Sequence, residues 1–238
     1  MIIRRAGVIA AGHGTRLADR YPGQIKPLLP VAGRPLCHWV IASLLQAGAR
    51  EITLLHNSSG RAVRESLERA FPQTRWIFLE ADTASSWESF RLVSRAVARA
   101  DEPFIISTVD AIVPPTETAR FAREVSESGA RVGLALTSFI NDEKPLFAEL
   151  GPRGLLTKLG ETCTLRQYAT AGLYYLTPQA VARMPEAAAH SSLRGFLTDF
   201  VGSGAPVAGC ILSKTLDVDR PEDIVQAEGF LKEAIVSW

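Results

Sequence analysis

Short apolar runs alternate with stretches of helical periodicity through the first half of the chain, which predicts β-α units around a mainly parallel sheet. Gly7, Val8, Ile9 and Ala10 are small or β-branched and apolar, as a buried parallel strand requires. Pro35 suits a first helical turn; Trp39, Val40, Leu44 and Ala47 share one face behind it, and Gly48 marks the stop. Ile52 to Leu55 reads as the second strand, Val63, Leu67, Ala70 and Phe71 as the face of a second helix, and Trp76 to Leu79 as the third strand. Ser85 with Glu88 three residues later is a capping box that opens a third helix. Pro103 to Thr108 is a fourth strand, Thr116 to Ser128 a helix and Arg131 to Ser138 a long strand.

After Ser138 the rhythm changes. Leu146 to Leu150, Leu155 to Leu159 and Tyr168 to Leu176 read as strands, separated by Gly151-Pro152 and a polar loop, so a β-rich insert is expected over about 139–176. Ser192 can cap a helix carrying Leu193, Phe196, Leu197 and Phe200; Pro206 to Ile211 is a late strand, and a last helix runs from Pro221 to about Ile235. The fold class is α/β and Rossmann-like, with a mixed, mainly parallel central sheet flanked by helices. At 238 residues and 47% hydrophobic, the chain fits one domain, 1–238, with a substantial core.

Composition narrows the partners. A net charge of +1 gives no support for a nucleic-acid surface. The apolar runs fall short of the ~20 residues of a membrane helix, and Met1 leads straight toward a strand, so neither a membrane partner nor a signal peptide is expected. Cys37, Cys163 and Cys210 are scattered and odd in number, which argues against a disulfide framework and for a reducing, cytoplasmic location. A homo-oligomer stays open, since neither sheet edges nor Trp238 decide it.

At Gly12 the first strand breaks into Gly12-His13-Gly14-Thr15, followed at once by Arg16. A strand running into a glycine loop points several backbone N–H groups the same way and forms a concave anion site. Arg16 and Lys26 add full positive charges, which together suggests a polyphosphate seat. A P-loop would need Lys-Ser or Lys-Thr after the glycines, and none follows. A dinucleotide site would need a third glycine where Leu17 stands, and an acid after the second strand where His56-Asn57 stand. The bland alternative is a solvated glycine turn. Against it stands the ordered set of Lys26 before Pro27, apolar Leu28, Leu29 and Val31, then Gly33 and Pro35.

Ala10-Ala11-Gly12-His13-Gly14-Thr15-Arg16-Leu17 with Lys26-Pro27-Leu28-Leu29-Pro30-Val31 resembles the signature of the sugar-nucleotidyltransferases, also called nucleoside-diphosphate-sugar pyrophosphorylases. The resemblance implies the nucleotide-diphospho-sugar transferase fold, the β-rich insert lying over the sugar side. It also implies a Mg²⁺-dependent reaction of an NTP with a sugar-1-phosphate that releases pyrophosphate. It assigns Ala10, Ala11, Gly12, His13, Gly14 and Thr15 to the nucleotide, His13 as a permissive loop position, with Arg16 and Lys26 as catalytic cations. Thr83, Ser85 and Ser86 stand where the family contacts the nucleobase, often with Gly-Thr-Ala. Asp110 is the implied first Mg²⁺ ligand, and Asp217, ahead of Asp219, the second. Strand alternation puts Asp217 and Asp219 on one face, although Asp219 with Glu222 is also a capping pair.

Thr108, Thr170, Gly172 and Lys144 are the implied acceptor contacts. Val109 replaces a family glycine, and Glu161-Thr162 stands where longer members carry Glu-Lys. Lys144 is either the substitute cation from a neighbouring loop or a solvated lysine before a turn, the latter the simpler reading. Thr170-Ala171-Gly172 stands for the more usual Asn-Ala-Gly. An attacking phosphate is already an anion, so no general base is needed, and His38, His56 and His190 show no metal spacing. Two other readings stay in view: a CTP-dependent enzyme acting on phosphocholine or an inositol phosphate, favoured by the short chain and Asp217-Val218-Asp219, and a non-catalytic nucleotide sensor. A nicotinamide oxidoreductase is weaker, and the β-helical acyltransferase domain of some relatives is expected to be absent.

Overall fold

The computed structural model describes residues 3–12, 14–18, 20–99 and 102–234. The main sheet contains β1 (Arg5–Ala10), β2 (Glu51–His56), β3 (Arg75–Glu80), β4 (Phe104–Thr108), β5 (Val132–Thr137), β6 (Phe147–Leu150), β7 (Leu156–Leu159), β8 (Tyr168–Leu176) and β9 (Val207–Leu212). β1 lies between β2 and β4, parallel to both, with Gly7 opposite Thr53 on one side and Ile106 on the other. β3 extends the parallel array beyond β2, and β9 runs parallel to β5 on the far flank.

β8 breaks the parallel pattern within the sheet, running antiparallel to both β4 and β5. Its carboxyl half, Leu173 to Leu176, is a central strand of the sheet, and only Tyr168 and Ala169 pair with β6. The expected insert over 139–176 therefore divides: β6 and β7 form an outlying hairpin, while β8 belongs to the core. The physical reason is burial, because Leu173, Tyr174, Tyr175 and Leu176 point to both faces and all are buried.

Helices α1 (Leu36–Gln46), α2 (Arg61–Ala70), α3 (Ser86–Val97), α4 (Pro115–Glu127), α5 (Leu193–Gly202) and α6 (Pro221–Ala234) cover the sheet. Val40, Ile41 and Leu44 of α1, Val63 and Leu67 of α2 and Phe121 of α4 share one core with Val8, Ile52 and Leu54. Trp87, Phe90 and Val93 of α3 and Phe196 and Leu197 of α5 share another with Leu55, Ile106 and Leu134. The approach of α3 is so close that a Cβ on Gly7 would lie 2.4 Å from Val93 Cγ1. A third core joins Leu17, Leu29, Val31 and Trp39 to Ile112, Leu216, Val218, Ile224 and Phe230. That core fastens the glycine-loop segment to the start of α6, which is what brings Lys26 and residues 217–219 together.

Ser85 caps α3 as the sequence predicts: its Oγ accepts from the Glu88 N–H at 3.1 Å, and Glu88 reaches back to the Ala84 N–H at 2.7 Å. The start of α6 differs from the expected Asp219 and Glu222 pair. Asp223 Oδ2 accepts from the N–H groups of Asp219 and Arg220 at 2.9 and 2.8 Å, and the Asp219 side chain turns elsewhere. The three cysteines are free, buried thiols. Among the described residues no helix is long and apolar enough to cross a membrane.

Candidate active site

β1 ends at Ala10, and the chain turns through Gly12, Gly14 and Thr15 along the floor of a cleft that Arg16, Lys26, Asp110 and Asp219 also line. Gly14 has φ +61°, in the left-handed region that favours glycine, and a Cβ there would fall 2.7 Å from Lys26 Cβ. Lys26 thus lies directly on the glycine turn. His13 falls outside the described residues. Ala10 pairs with His56, and Ala11 sits behind the turn, its carbonyl accepting from Asn57 Nδ2 at 3.2 Å. Asn57 was visible in the sequence only as the absence of an acid after β2, yet its amide braces the loop.

Lys26 Nζ donates to Asp110 Oδ2 at 2.6 Å and to Asp219 Oδ1 at 2.5 Å, and Arg16 Nη1 donates to Asp219 Oδ2 at 3.1 Å. Asp110 arrives just past the carboxyl end of β4. Ala111–Ile112 then pairs antiparallel with Leu216–Asp217, Ala111 opposite Asp217, and the Val218 N–H donates to the Asp110 carbonyl at 3.1 Å. This small ladder sets residues from the middle and end of the chain beside one another. Of the two candidate second ligands, Asp219 is the one tied to Lys26 and Arg16; Asp217 makes no ion pair among the described residues. Nor, among them, do three His, Cys, Asp or Glu side chains converge into a ready-made metal site.

Electrostatics follow from this arrangement. Burial alone would lower the Lys26 pKa, but Asp110, Asp219 and Asp217 outweigh it and raise the ammonium above its usual range. Burial would raise the Asp110 carboxyl, and the charge and hydrogen bond of Lys26 hold it down instead. Asp217 is pushed well above the carboxylate norm by burial, then by Asp110 and Asp219. Asp217 is nonetheless an exposed residue on the cleft, so solvent screens part of this push. Three carboxylates therefore face two cations, and Asp217 is the uncompensated one.

On the other side of Asp110 and Asp219 lies a second cavity of about 210 Å³, walled by Thr108, Thr170, Gly172, Tyr174, Asn141, Asp142, Asp217 and Arg194. Thr108 borders both cavities. Gly172, at φ +65°, lies so close to β4 that a Cβ would meet Thr108 Oγ1 at 2.5 Å and Ala111 Cβ at 2.8 Å. The β8–β5 register shifts between Thr170 and Tyr174, beside this cavity. Tyr174 is 6% exposed, and its hydroxyl has no hydrogen-bond partner among the described residues.

Lys144 does not line this cavity. Its N–H donates to Asp142 Oδ1 at 3.0 Å in a local turn, and its carbonyl accepts from Arg194, whose side chain is the cation that reaches the wall from the start of α5. Arg220 also lines the cavity, paired with Glu143 at 3.1 Å. Sequence reasoning missed both arginines, since no short-range motif announces them. Thr83, Ser85 and Ser86 line neither cavity. Thr83 Oγ1 lies 2.5 Å from Ser89 Oγ, Ser85 caps α3, and Ser86 Oγ accepts from the Leu193 N–H at 3.0 Å, tying the starts of α3 and α5 together.

Comparison with known proteins bears on this site. The curated N-acetylmuramate alpha-1-phosphate uridylyltransferase of Neisseria meningitidis serogroup B is 30% identical over 118 residues, 49% of this chain and 51% of that protein. The bifunctional protein GlmU of Heliobacterium modesticaldum is 28% identical over 236 residues, 91% of this chain and 48% of GlmU. The chain thus spans about half the length of these curated relatives. Among solved structures, an inositol-1-phosphate CTP transferase from T. maritima superposes with a TM-score of 0.83 at 21% identity, covering 98% of both chains. A UDP-glucose pyrophosphorylase complexed with UDP-glucose gives 0.77 at 16% identity, covering 97% of this chain and 99% of the other. At those identities the likeness is one of fold. A family model described as the MobA-like NTP transferase domain matches residues 6–174, well over half of the chain. The chain belongs to the MobA-like NTP transferase family.

Proposed function

We propose that this protein is a Mg²⁺-dependent nucleotidyltransferase that moves a nucleoside monophosphate from an NTP to a sugar-1-phosphate and releases pyrophosphate, working in the cytoplasm where NTPs are found. The observation that carries the reading is the Lys26 ammonium bridging Asp110 and Asp219 at the border shared by the glycine-turn cavity and the acceptor cavity. A triphosphate laid along Gly12, Gly14 and Thr15 meets backbone N–H groups and Arg16, which suits the leaving pyrophosphate. The acceptor phosphate approaches from the side of Thr108, Thr170, Gly172 and Tyr174, whose buried hydroxyl, without a partner among the described residues, suits an acceptor oxygen. It is already ionised, so the chain's task is alignment and neutralisation of charge.

The donor set fits magnesium. Asp110 and Asp217 offer hard oxygen ligands, the second without an ion-pair partner among the described residues, and Asp219 stands beside them; one or two carboxylates plus substrate phosphates are the usual Mg²⁺ environment. When bound, Mg²⁺ supplies a template and charge clamp for phosphate oxygens. Lys26 then exchanges its carboxylate partners for the phosphates near the reacting centre, a swing of one flexible side chain.

A second reading is a cytidylyltransferase of a phosphorylated alcohol, with inositol phosphate or phosphocholine as acceptor. The absence of a lysine from the acceptor wall among the described residues, where Arg194 and Arg220 stand, favours it, as does the full-length likeness in fold to an inositol-1-phosphate CTP transferase. The test is pyrophosphate release from each NTP with Mg²⁺ against a panel of sugar-1-phosphates, inositol phosphate and phosphocholine. Turnover with one NTP and a sugar-1-phosphate is the expected result. Binding of an NTP, seen as a thermal shift, with no turnover across the whole panel would leave a nucleotide sensor and refute the enzyme.

A further inference from the structure

The buried carboxylate of Asp223 does two things at once. Oδ2 accepts from the backbone N–H groups of Asp219 and Arg220, and Oδ1 accepts from Asn141 Nδ2 at 3.2 Å. A carboxylate is an acceptor only, so the Asn141 amide must turn its NH₂ toward it. Asn141 also donates to Gln226 Oε1 at 3.3 Å, one turn further along α6. Asn141 belongs to the loop that leaves β5 and crosses the acceptor cavity. The far end of that loop is held from the opposite wall, where Arg194 donates to the carbonyls of Lys144 and Pro145.

Ordinary capping of α6 needs only one carboxylate oxygen. The second oxygen spans 82 residues of sequence to reach the acceptor loop. We propose that Asp223 is a positioning residue that couples the acceptor-side loop to Asp219, so that the wall of the acceptor cavity and the carboxylate holding Lys26 and Arg16 keep one fixed relation. This deepens the function proposed above and rests on it for its catalytic consequence. Acceptor affinity then depends on Asp223, which is only 7% exposed and borders the cavity beside Asn141, Asp219 and Arg220.

The test is Asp223→Asn. One side-chain oxygen remains to cap α6, but the new NH₂ is met only if the Asn141 and Gln226 amides both turn over, so the charge-assisted link is replaced at best by a weaker neutral one. Backbone hydrogen exchange over 139–146 should speed up, and the KM for the acceptor should rise roughly 10- to 100-fold, the value of one hydrogen bond to a charged group. The KM for the NTP should stay at the wild-type value. The double variant Asp223→Asn with Asn141→Asp restores the bond with donor and acceptor exchanged, Gln226 rotating its amide to donate, and should recover the slow exchange over 139–146. Asn141→Ala breaks the link without touching the cap and should reproduce the faster exchange, which decides the matter if Asp223→Asn fails to fold. Unchanged exchange over 139–146 in the single variants, or no recovery in the double variant, would overturn the proposal. If the wild-type protein turns over no acceptor, the functional reading fails instead, and the exchange measurement still decides the link.

Discussion

Replacing Lys26 by methionine tests the centre of the site with little change in volume. The ammonium is 8% exposed and contacts Asp110 and Asp219, themselves 22% and 32% exposed, at 2.6 and 2.5 Å. With an effective dielectric constant of about 20, each contact represents about 6 kcal/mol of gross attraction. Desolvating the lysine returns much of this, and the partial exposure of both carboxylates screens more, so the net loss should be about 3 kcal/mol, the low end for breaking a buried pair. For a chain of this size that is a fall in Tm of about 6–12 °C at pH 7.

The pH dependence has a definite sign. Lys26 has a raised folded pKa, so its contribution is complete below its unfolded value of about 10.4 and fades as pH climbs through the folded one. Asp110 has a lowered folded pKa, so its contribution is complete above about 3.9 and fades as pH drops through the folded one. The gap between wild type and Lys26→Met should therefore be widest between about pH 4 and pH 10 and close at both extremes. Urea unfolding across that range measures it, and pyrophosphate release should fall by about 10²–10³. A variant melting within about 1 °C of wild type at pH 7 would refute the electrostatic account, since the two contacts would then carry nothing.

Asp217→Asn should act in the opposite direction on stability. A carboxyl whose folded pKa is raised destabilises the native state at pH values above its unfolded pKa, so neutralising it should raise Tm at pH 7, leave it unchanged near pH 3, and lower turnover; a lower Tm at pH 7 would show that Asp217 is already compensated. Gly172→Ala should raise the acceptor KM by at least about tenfold, because the added methyl must displace Thr108 and Ala111 and sit at positive φ, a strain of order 1–3 kcal/mol; kinetics indistinguishable from wild type would mean that the acceptor does not approach this junction.

The glycine turn was legible because its constraints are local. Gly14 is required by its own φ and by the neighbouring Lys26, and such positions leave a trace in residue type. The α/β rhythm of β1 to β4 was legible for the same reason, through apolar periodicity. The place of β8 was not, because its run looks alike in an edge hairpin or between two core strands, and only pairing with β4 and β5 distinguishes them. Asp219, Glu222 and Asp223 offer two capping pairs on paper. Lys26 and Arg16 draw the Asp219 side chain away, and that long-range pull leaves the cap to Asp223. Likewise Lys144 was the near candidate cation for the second cavity, while Arg194 reaches its wall from 50 residues further on. Where a role depends on which distant segment comes alongside, residue spacing carries no record of it.

The reversed direction of β8 has a consequence for how such a scaffold can diversify. Parallel neighbours deliver the glycine turn and Asp110 as they finish, whereas β8 presents Thr170 and Gly172 near its beginning, a short loop after the β6–β7 hairpin. Among the described residues the hairpin itself does not line the second cavity; the segments that flank it do, Pro145 and Leu146 before β6 and Ala169 to Gly172 in β8, so exchanging those flanks would reshape this side and leave the glycine turn on the other untouched. On the function proposed above, grafting those flanks between family members would change the acceptor with the donor chemistry kept intact.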